Sequence, residues 1–138
     1  MKTVAHVIFE NEEGELLLYL RDNEPSIPFP HHWDLIGGHV DEGESVEEGL
    51  IREVKEELNL NLIGHKFWRS YVCLEGDVHP NIKYMYTAKI NLPIEEITLM
   101  EGEKVQYFTK EEVLNLKLAN IESTILSDYI QQFGHGLK

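Results

Sequence analysis

The residues best suited to chemistry are three glutamates near the end of a predicted helix. Glu53, Glu56 and Glu57 are spaced so that their carboxylates lie on one helical face, directed away from the core. Like charges at these spacings repel one another, at about 0.2–0.5 kcal/mol per pair in an isolated helix. Convergent carboxylate oxygens suit hard cations such as Mg²⁺ or Mn²⁺. We therefore interpret them as metal ligands, although acidic helical faces on acidic proteins are more often only solvated.

Two further features favour the metal hypothesis over the solvated face. Arg52 lies beside Glu53 and four residues before Glu56, where its charge can offset the repulsion and hold a carboxylate in place. The pair Gly37–Gly38 precedes the helix and allows a close approach of the backbone to a ligand or metal.

The predicted helix extends from residue 45 to about residue 58. Ser45 and Glu48 have the spacing of a capping box at its start. Asn59 is expected to adopt the left-handed conformation at its end. Apolar residues recur at every fourth position and predict a core-facing stripe of Val46, Leu50, Val54 and Leu58.

The remaining elements surround this helix. Strands are predicted at residues 3–9, 16–20, 67–74, 82–90 and 104–108, and helices at 109–116 and 120–133. Three prolines between residues 21 and 33 predict a surface loop without regular structure. Along residues 82–90, Lys83 and Lys89 are expected to be solvated. This order predicts one α+β domain covering residues 1–138.

Composition narrows the class of protein. The 138 residues carry a formal net charge of −13, which argues against binding to a nucleic-acid polymer or an anionic membrane surface. Cys73 is the only cysteine, so an intramolecular disulfide is impossible and a reducing compartment is expected. The N-terminal stretch lacks the pattern of a signal peptide, and no apolar run reaches the ~18 residues of a membrane span. We therefore expect a soluble, cytoplasmic protein, and the negative charge does not argue against a small phosphate substrate, because bound cations can reverse the local field.

The stretch from Gly38 to Leu60 resembles the Nudix box. Its matching positions are Gly38, Glu44, Arg52, Glu53, Val54, Glu56, Glu57 and Leu60. Asn59 departs from the family pattern, which has glycine at that position. The resemblance extends more loosely over most of the chain.

This resemblance implies a mixed β-sheet between helices, with the box forming a loop-helix-loop motif. Members hydrolyse diphosphate linkages in nucleoside diphosphates joined to another moiety, using water and Mg²⁺ or Mn²⁺. The implied metal ligands are Glu53, Glu56, Glu57 and a carbonyl oxygen of Gly37 or Gly38. The implied catalytic residues are Glu53, Glu56, Arg52 and Glu101, with one carboxylate as general base. Arg52 would orient the carboxylates and pair with Glu44, and homodimers are common in the family.

Candidates outside the box have weaker support. Glu101 is an expected further metal-binding or basic carboxylate, with an ordinary surface acid as the alternative and Glu103 as the second choice. Arg21 is a candidate for contacting a phosphate, and a surface ion pair is its alternative. Trp33, like Phe29 and Trp68, is either a stacking surface for a base or a packing residue.

Three functions remain open from the sequence alone. The first is hydrolysis of a nucleoside diphosphate derivative, with Glu44, Arg21 and Trp33 near the substrate. The second keeps the same metal chemistry for a non-nucleotide diphosphate, such as an isoprenoid or sugar conjugate. The third is a nucleotide-sensing module without turnover, which loss of box carboxylates would favour, and all of them are present.

Overall fold

Strand β1 (Lys2–Glu10) lies at the centre of the sheet in the computed structural model, which describes residues 1–134. It pairs in parallel with β6 (Asn81–Lys89) along its whole length. It also pairs antiparallel with β4 (Ile36–His39), which leads into the predicted helix. The two halves of the chain therefore meet along β1.

The other strands extend this sheet on both sides. They are β2 (Leu16–Leu20), β3 (Trp33–Asp34), β5 (Lys66–Cys73) and β7 (Lys104–Phe108). The main order is β3-β2-β1-β6-β5, with β4 added on β1 and β7 added on β2. Only the β1–β6 pair is parallel among the strands described, so the sheet is mixed, as the sequence predicted.

Helices cover both faces of the sheet. On one face lies α1 (Val46–Leu58), whose Leu50 and Val54 belong to the first hydrophobic cluster. On the other lie α2 (Lys110–Val113) and α3 (Glu122–Phe133), and α3 contributes to a second cluster. The predicted arrangement of a sheet between helices is confirmed.

Local signals explain where α1 begins and ends. Both hydrogen bonds of the capping box form, from Glu48 N–H to Ser45 Oγ at 3.1 Å and from Ser45 N–H to Glu48 Oε1 at 2.8 Å. Asn59 has φ 54° and ψ 36°, and its N–H donates to the Lys55 carbonyl. Gly49 packs against Val40, whose side chain would lie 3.0 Å from an added Cβ.

The prediction that Lys83 is solvated is wrong. Its side chain is buried and forms an ion pair with the buried carboxylate of Asp77. The loop that bears Asp77 brings its carboxylate to the ammonium group of Lys83, which a pattern along β6 alone does not reveal. Asn81 also donates to Asp77, at 2.7 Å, so the buried charges are held together.

Several boundaries also differ from the prediction, most of them by one residue. Trp33 belongs to β3 and not to the proline-rich loop. The helix after Thr109 ends at Val113, before the predicted residue 116. Helix α3 begins at Glu122 and not at Asn120, because Asn120 has the left-handed φ of 54° that interrupts a helix.

The described residues end at Gly134, so the last four residues of the predicted 1–138 domain lie outside them. Within residues 1–134, no helix has the length and apolar character needed to cross a membrane. The longest, α1, has 13 residues, against about 20 for a membrane span.

Replacing Gly37 by alanine is expected to destabilise the fold strongly. Gly37 has φ +140°, and an added Cβ would overlap the Ala5 carbonyl oxygen and lie 2.7 Å from Cα of His6. Because β1 cannot move aside, we expect Gly37→Ala to lower the unfolding free energy by about 3 kcal/mol or more.

Gly43→Ala is the matched control for this experiment. Gly43 also has a positive φ, of +89°, but no atom lies within 4 Å of an added Cβ, so only backbone strain of about 1–2 kcal/mol is expected. Urea unfolding measures both variants. Equal losses would contradict the steric argument.

Candidate active site

One guanidinium group organises the acidic end of α1. Arg52 donates to both oxygens of Glu44, at 2.8 and 3.0 Å. Its Nη1 donates to Glu53 at 3.1 Å and to Glu56 at 3.2 Å, and its Nη2 donates to the carbonyl of His39 at 2.9 Å. The hydrogen bonds to the carboxylates, first that to Glu44, raise the pKa of Arg52 above its ordinary value. The predicted pairing of Arg52 with Glu44 is therefore present, and the same group holds two further carboxylates.

Glu44 is itself held by the turn that precedes the helix. Its Oε1 also accepts the N–H of Asp41 at 2.8 Å. The hydrogen bonds from Arg52 and from the Asp41 backbone lower the pKa of Glu44. Glu44 is thus a fixed anion that positions Arg52.

Glu53 lies against the bare backbone of Gly38. A Cβ at Gly38 would lie 2.7 Å from Cδ of Glu53, so a larger residue there would displace this carboxylate from its position beside Arg52. Burial raises the pKa of Glu53, and the charges of Glu56 and Glu101 add to the effect against the opposing pull of Arg52. Glu53 and Gly38 are therefore brought together, as the sequence indicated.

Glu57 does not point outward as predicted. It is only 3% exposed, and its Oε1 accepts the N–H of Gly37 at 2.7 Å. Burial raises its pKa to about 9, and the charges of Asp34, Glu53 and Glu101 act in the same direction. The prediction failed because β4 passes over the edge of the helical face that carries Glu57.

A backbone hydrogen bond holds the loop that carries Glu101 next to the end of α1. The N–H of Met100 donates to the backbone carbonyl of Glu57 at 2.8 Å. Gly102 has φ +84°, and a Cβ there would lie 2.7 Å from the carbonyl oxygen of Leu20. Glu101 is exposed, and its charge helps to raise the pKa of both Glu53 and Glu57. The structure thus brings Glu101 into the electrostatic field of the box.

A cavity of about 260 Å³ opens beside the glycine pair and Arg21. Arg21 donates to Oδ2 of Asp34 and to the carbonyl of Pro28, both at 3.0 Å. The ion pair that was its alternative interpretation is therefore present, with a buried partner. Basic and imidazole side chains also line the cavity, namely Lys2, His6, His39, His79 and Lys83.

The aromatic candidates lie in different places. Trp33 is not among the residues that line the cavity, and its ring packs edge-on against Phe108 with centroids 4.7 Å apart. Trp68 donates from Nε1 to Gln132 at 2.9 Å, at a separate groove on the sheet. Phe29 lines the cavity.

Sequence reasoning missed the polar floor of the cavity. Asp34 and His6 line the cavity, and Glu122 is buried beside them, although the two acids are far apart in the chain. Glu122 accepts the N–H of Leu35 at 2.8 Å. Asp34 gave a faint signal, as an acid between apolar residues just before the glycine pair, but nothing near Glu122 indicated burial.

Comparisons with known proteins identify the family of this chain. The NUDIX domain family model matches residues 1–129. A nucleoside triphosphatase, NudI of Salmonella schwarzengrund, is 42% identical over 62 residues, covering 45% of this chain and 43% of that protein. A putative 8-oxo-dGTP diphosphatase of Bacillus subtilis is 46% identical over 57 residues, covering 41% of this chain and 34% of that protein. The match thus spans less than half the length of these curated relatives.

Solved structures share the fold over a larger part of the chain. The NUDIX domain of Shewanella oneidensis NrtR, complexed with ADP ribose, superimposes with a TM-score of 0.79. It is 19% identical, and the alignment covers 94% of this chain and 86% of that one. A MutT protein from Methanosarcina mazei gives a TM-score of 0.74 at 22% identity, covering 95% of this chain and 94% of its own. With the family match over most of its length, this chain belongs to the Nudix family.

Proposed function

We propose that this chain is a divalent-metal-dependent hydrolase that cleaves a diphosphate linkage in a nucleotide derivative. The curated relatives with similar sequences are named as a nucleoside triphosphatase and a putative 8-oxo-dGTP diphosphatase, which is consistent with a nucleoside phosphate substrate. Hydrolysis would release two phosphorylated products.

The observation that carries this proposal is the excess of negative charge around Arg52. The guanidinium of Arg52 contacts three glutamates. Glu57 is buried, with 3% of its surface exposed, and none of its hydrogen-bond partners in the described residues is a cationic side chain. Such crowding is costly unless a further cation is bound.

The donor set fits Mg²⁺ or Mn²⁺. Carboxylate oxygens of Glu53, Glu56 and Glu57 and a carbonyl oxygen of Gly37 or Gly38 are the hard ligands that these ions prefer. The absence of a side chain at Gly38 keeps the space around the Glu53 carboxylate open. When bound, the ions would neutralise the diphosphate charge and lower the pKa of a water molecule.

The residues of the chain supply positioning and proton transfer. Arg52 orients Glu53 and Glu56, and Glu44 fixes Arg52. We propose Glu53, Glu56 or Glu101 as the general base that accepts the proton of the attacking water. Glu53 combines proximity to the glycine pair with a pKa that burial raises, and a more basic carboxylate is a better proton acceptor.

The cavity beside Arg21 would hold the moiety attached to the diphosphate. Its lining of charged and imidazole side chains suits a polar group better than an isoprenoid chain. We retain Arg21 as a substrate-binding candidate, whereas stacking by Trp33 and a direct substrate contact by Glu44 stay predictions. A cytoplasmic location and a homodimer also stay predictions.

The decisive experiment is a substrate panel. Purified protein is incubated with Mg²⁺ or Mn²⁺ and nucleoside triphosphates, nucleoside diphosphate sugars, ADP-ribose and isoprenyl diphosphates, in water enriched in ¹⁸O. We expect cleavage of a nucleotide, with ¹⁸O in one phosphorylated product identified by mass. Turnover of isoprenyl diphosphates alone would support the non-nucleotide alternative. Nucleotide binding without any turnover would support the sensing module.

Glu53→Gln is expected to lower kcat by about 10²–10⁴-fold, since it removes a metal ligand and candidate base while keeping the shape of the side chain. Glu57→Gln is expected to lose activity by a similar factor. The measurement is steady-state kinetics on the best substrate of the panel. Glu42→Gln, an exposed glutamate in the preceding turn, is the matched control and should retain activity. Near wild-type turnover in both box variants would contradict the assigned site.

The buried carboxyl of Glu57 is expected to make metal-free protein less stable as pH rises. Its folded pKa of about 9 lies above the ordinary value of 4.5, so between these pH values the folded state keeps a proton that the unfolded state releases. The unfolding free energy should therefore fall with pH across this window, by up to about 1.4 kcal/mol per pH unit. Glu57→Gln cannot ionise but can still accept the Gly37 N–H, so its slope should be shallower.

Denaturant unfolding in EDTA at several pH values measures this difference, with Glu42→Gln as the control. At pH 8, added Mg²⁺ should stabilise the wild type more than Glu57→Gln, because the ion binds the carboxylate form. Parallel pH profiles for wild type and Glu57→Gln would refute the role of this buried carboxyl.

A further inference from the structure

A second group of potential ligands, two of which line the cavity, lies outside the box. It consists of His6 on β1, Asp34 on β3 and Glu122 at the start of α3. One ligand atom from each lies within 4.8 Å of the other two, and His6 Nε2 is 3.9 Å from Asp34 Oδ1. All three are buried, at 6%, 3% and 1% exposure. We name this group the floor cluster.

Two oxygens of the floor cluster are unpartnered. Asp34 Oδ1 and Glu122 Oε2 have no hydrogen-bond partner among the described residues. The second oxygen of each carboxyl group has a hydrogen-bond donor, since Asp34 Oδ2 accepts from Arg21 and Glu122 Oε1 accepts from the backbone N–H of Leu35. A buried carboxylate oxygen normally binds a hydrogen-bond donor or a metal, so either a proton held between Asp34 and Glu122 or a cation can satisfy these two oxygens.

The positive side chains near the floor cluster do not balance its two carboxyl groups if both are ionised. Arg21 contacts Asp34, but the other nearby cation, Lys83, is paired with Asp77. Burial raises the pKa of Glu122 well above its ordinary value, and the negative charge of Asp34 adds to the effect. A proton shared by the two carboxyls or a metal ion would each supply the missing positive charge.

The position of His6 favours a metal ion over a shared proton. His6 Nε2 lies 3.9 Å from Asp34 Oδ1, and both side chains are buried, so a ring nitrogen is available as a third donor beside the two carboxyl oxygens. A proton shared by two carboxyls needs no third ligand. An imidazole beside two carboxylates is a donor set that suits Zn²⁺, Mn²⁺ or Fe²⁺, whereas Mg²⁺ prefers oxygen ligands alone.

We propose that His6, Asp34 and Glu122 form a cation site separate from the Nudix box, which binds a first-row transition dication such as Zn²⁺. Bonds of about 2.0–2.2 Å place neighbouring ligand atoms roughly 3–3.6 Å apart. The floor cluster, with ligand atoms up to 4.8 Å apart, must therefore contract by about 1 Å, within reach of side-chain rotation. His6 and Asp34 line the cavity, which gives an ion an entry path and leaves its open coordination positions toward a bound molecule.

The test separates the floor cluster from the box. Glu53→Gln/Glu56→Gln weakens the box, and Zn²⁺ binding to this background is measured by calorimetry and metal analysis. We expect one Zn²⁺ per chain to remain. Adding Glu122→Gln, which keeps the hydrogen bond from Leu35, or His6→Asn should weaken that binding by about 100-fold or more. His39→Gln, a histidine exposed in the same cavity, is the matched control and should leave it unchanged.

If a variant fails to fold, crystallography of the wild type tests whether zinc binds at the floor cluster. With one equivalent of Zn²⁺ per chain in the background of saturating Mg²⁺, we expect an anomalous difference peak at the zinc edge, within bonding distance of His6 Nε2. A peak at the box alone, or equal zinc affinity with and without His6→Asn and Glu122→Gln, would overturn the proposal and leave a shared proton as the occupant.

Discussion

The site depends on the attraction between one guanidinium and the carboxylates around it. Glu44, Glu53 and Glu56 could not lie so close together at low cost without Arg52, because like charges at helical spacing repel. The planar fork of arginine serves several acceptors at once, which the single ammonium of a lysine cannot do with the same geometry. One positive charge nevertheless does not balance the group. The residual negative charge is what makes the arrangement suited to metal ions.

Strand β4 sets the distance between these carboxylates and the cavity. On one side Gly37 touches the backbone of β1, and on the other Gly38 touches the carboxylate of Glu53. A side chain at Gly37 would overlap β1, and one at Gly38 would displace the carboxylate of Glu53, so β4 lies close to both neighbours. The apolar stripe of α1 keeps the helix in that place, because Leu50 and Val54 are fully buried on the sheet. Carboxylates on such a fixed helix need little reorganisation to bind their ligands.

Features that depend on near neighbours in the chain could be predicted from the sequence. The capping box at Ser45, the left-handed Asn59 and the stripe of α1 each follow from residues a few positions apart. The box itself is also contiguous, so its arginine and carboxylates were recognisable as a group. Glu57 was misplaced because a helical face does not reveal that the Gly37 N–H will reach it.

The floor of the cavity could not be predicted for the same physical reason. Periodicity assigns a residue to a face but does not identify what another element will place opposite it. Lys83 was therefore assigned to solvent, although Asp77 encloses it. Asp34 and Glu122 meet only because the start of α3 lies against β3 and accepts the N–H of Leu35 across the fold.

The parallel pairing of β1 with β6 also has a consequence for how the molecule folds. Its paired residues are separated by about 80 positions, and such non-local pairs form slowly because loop-closure entropy opposes them until the contacts are made. During synthesis on a ribosome, β1 can therefore pair with β6 only after more than half of the described chain has emerged. During that interval β1 can already form its antiparallel pairs with β4, so the glycine pair of β4 can be in place beside β1 before the sheet is complete.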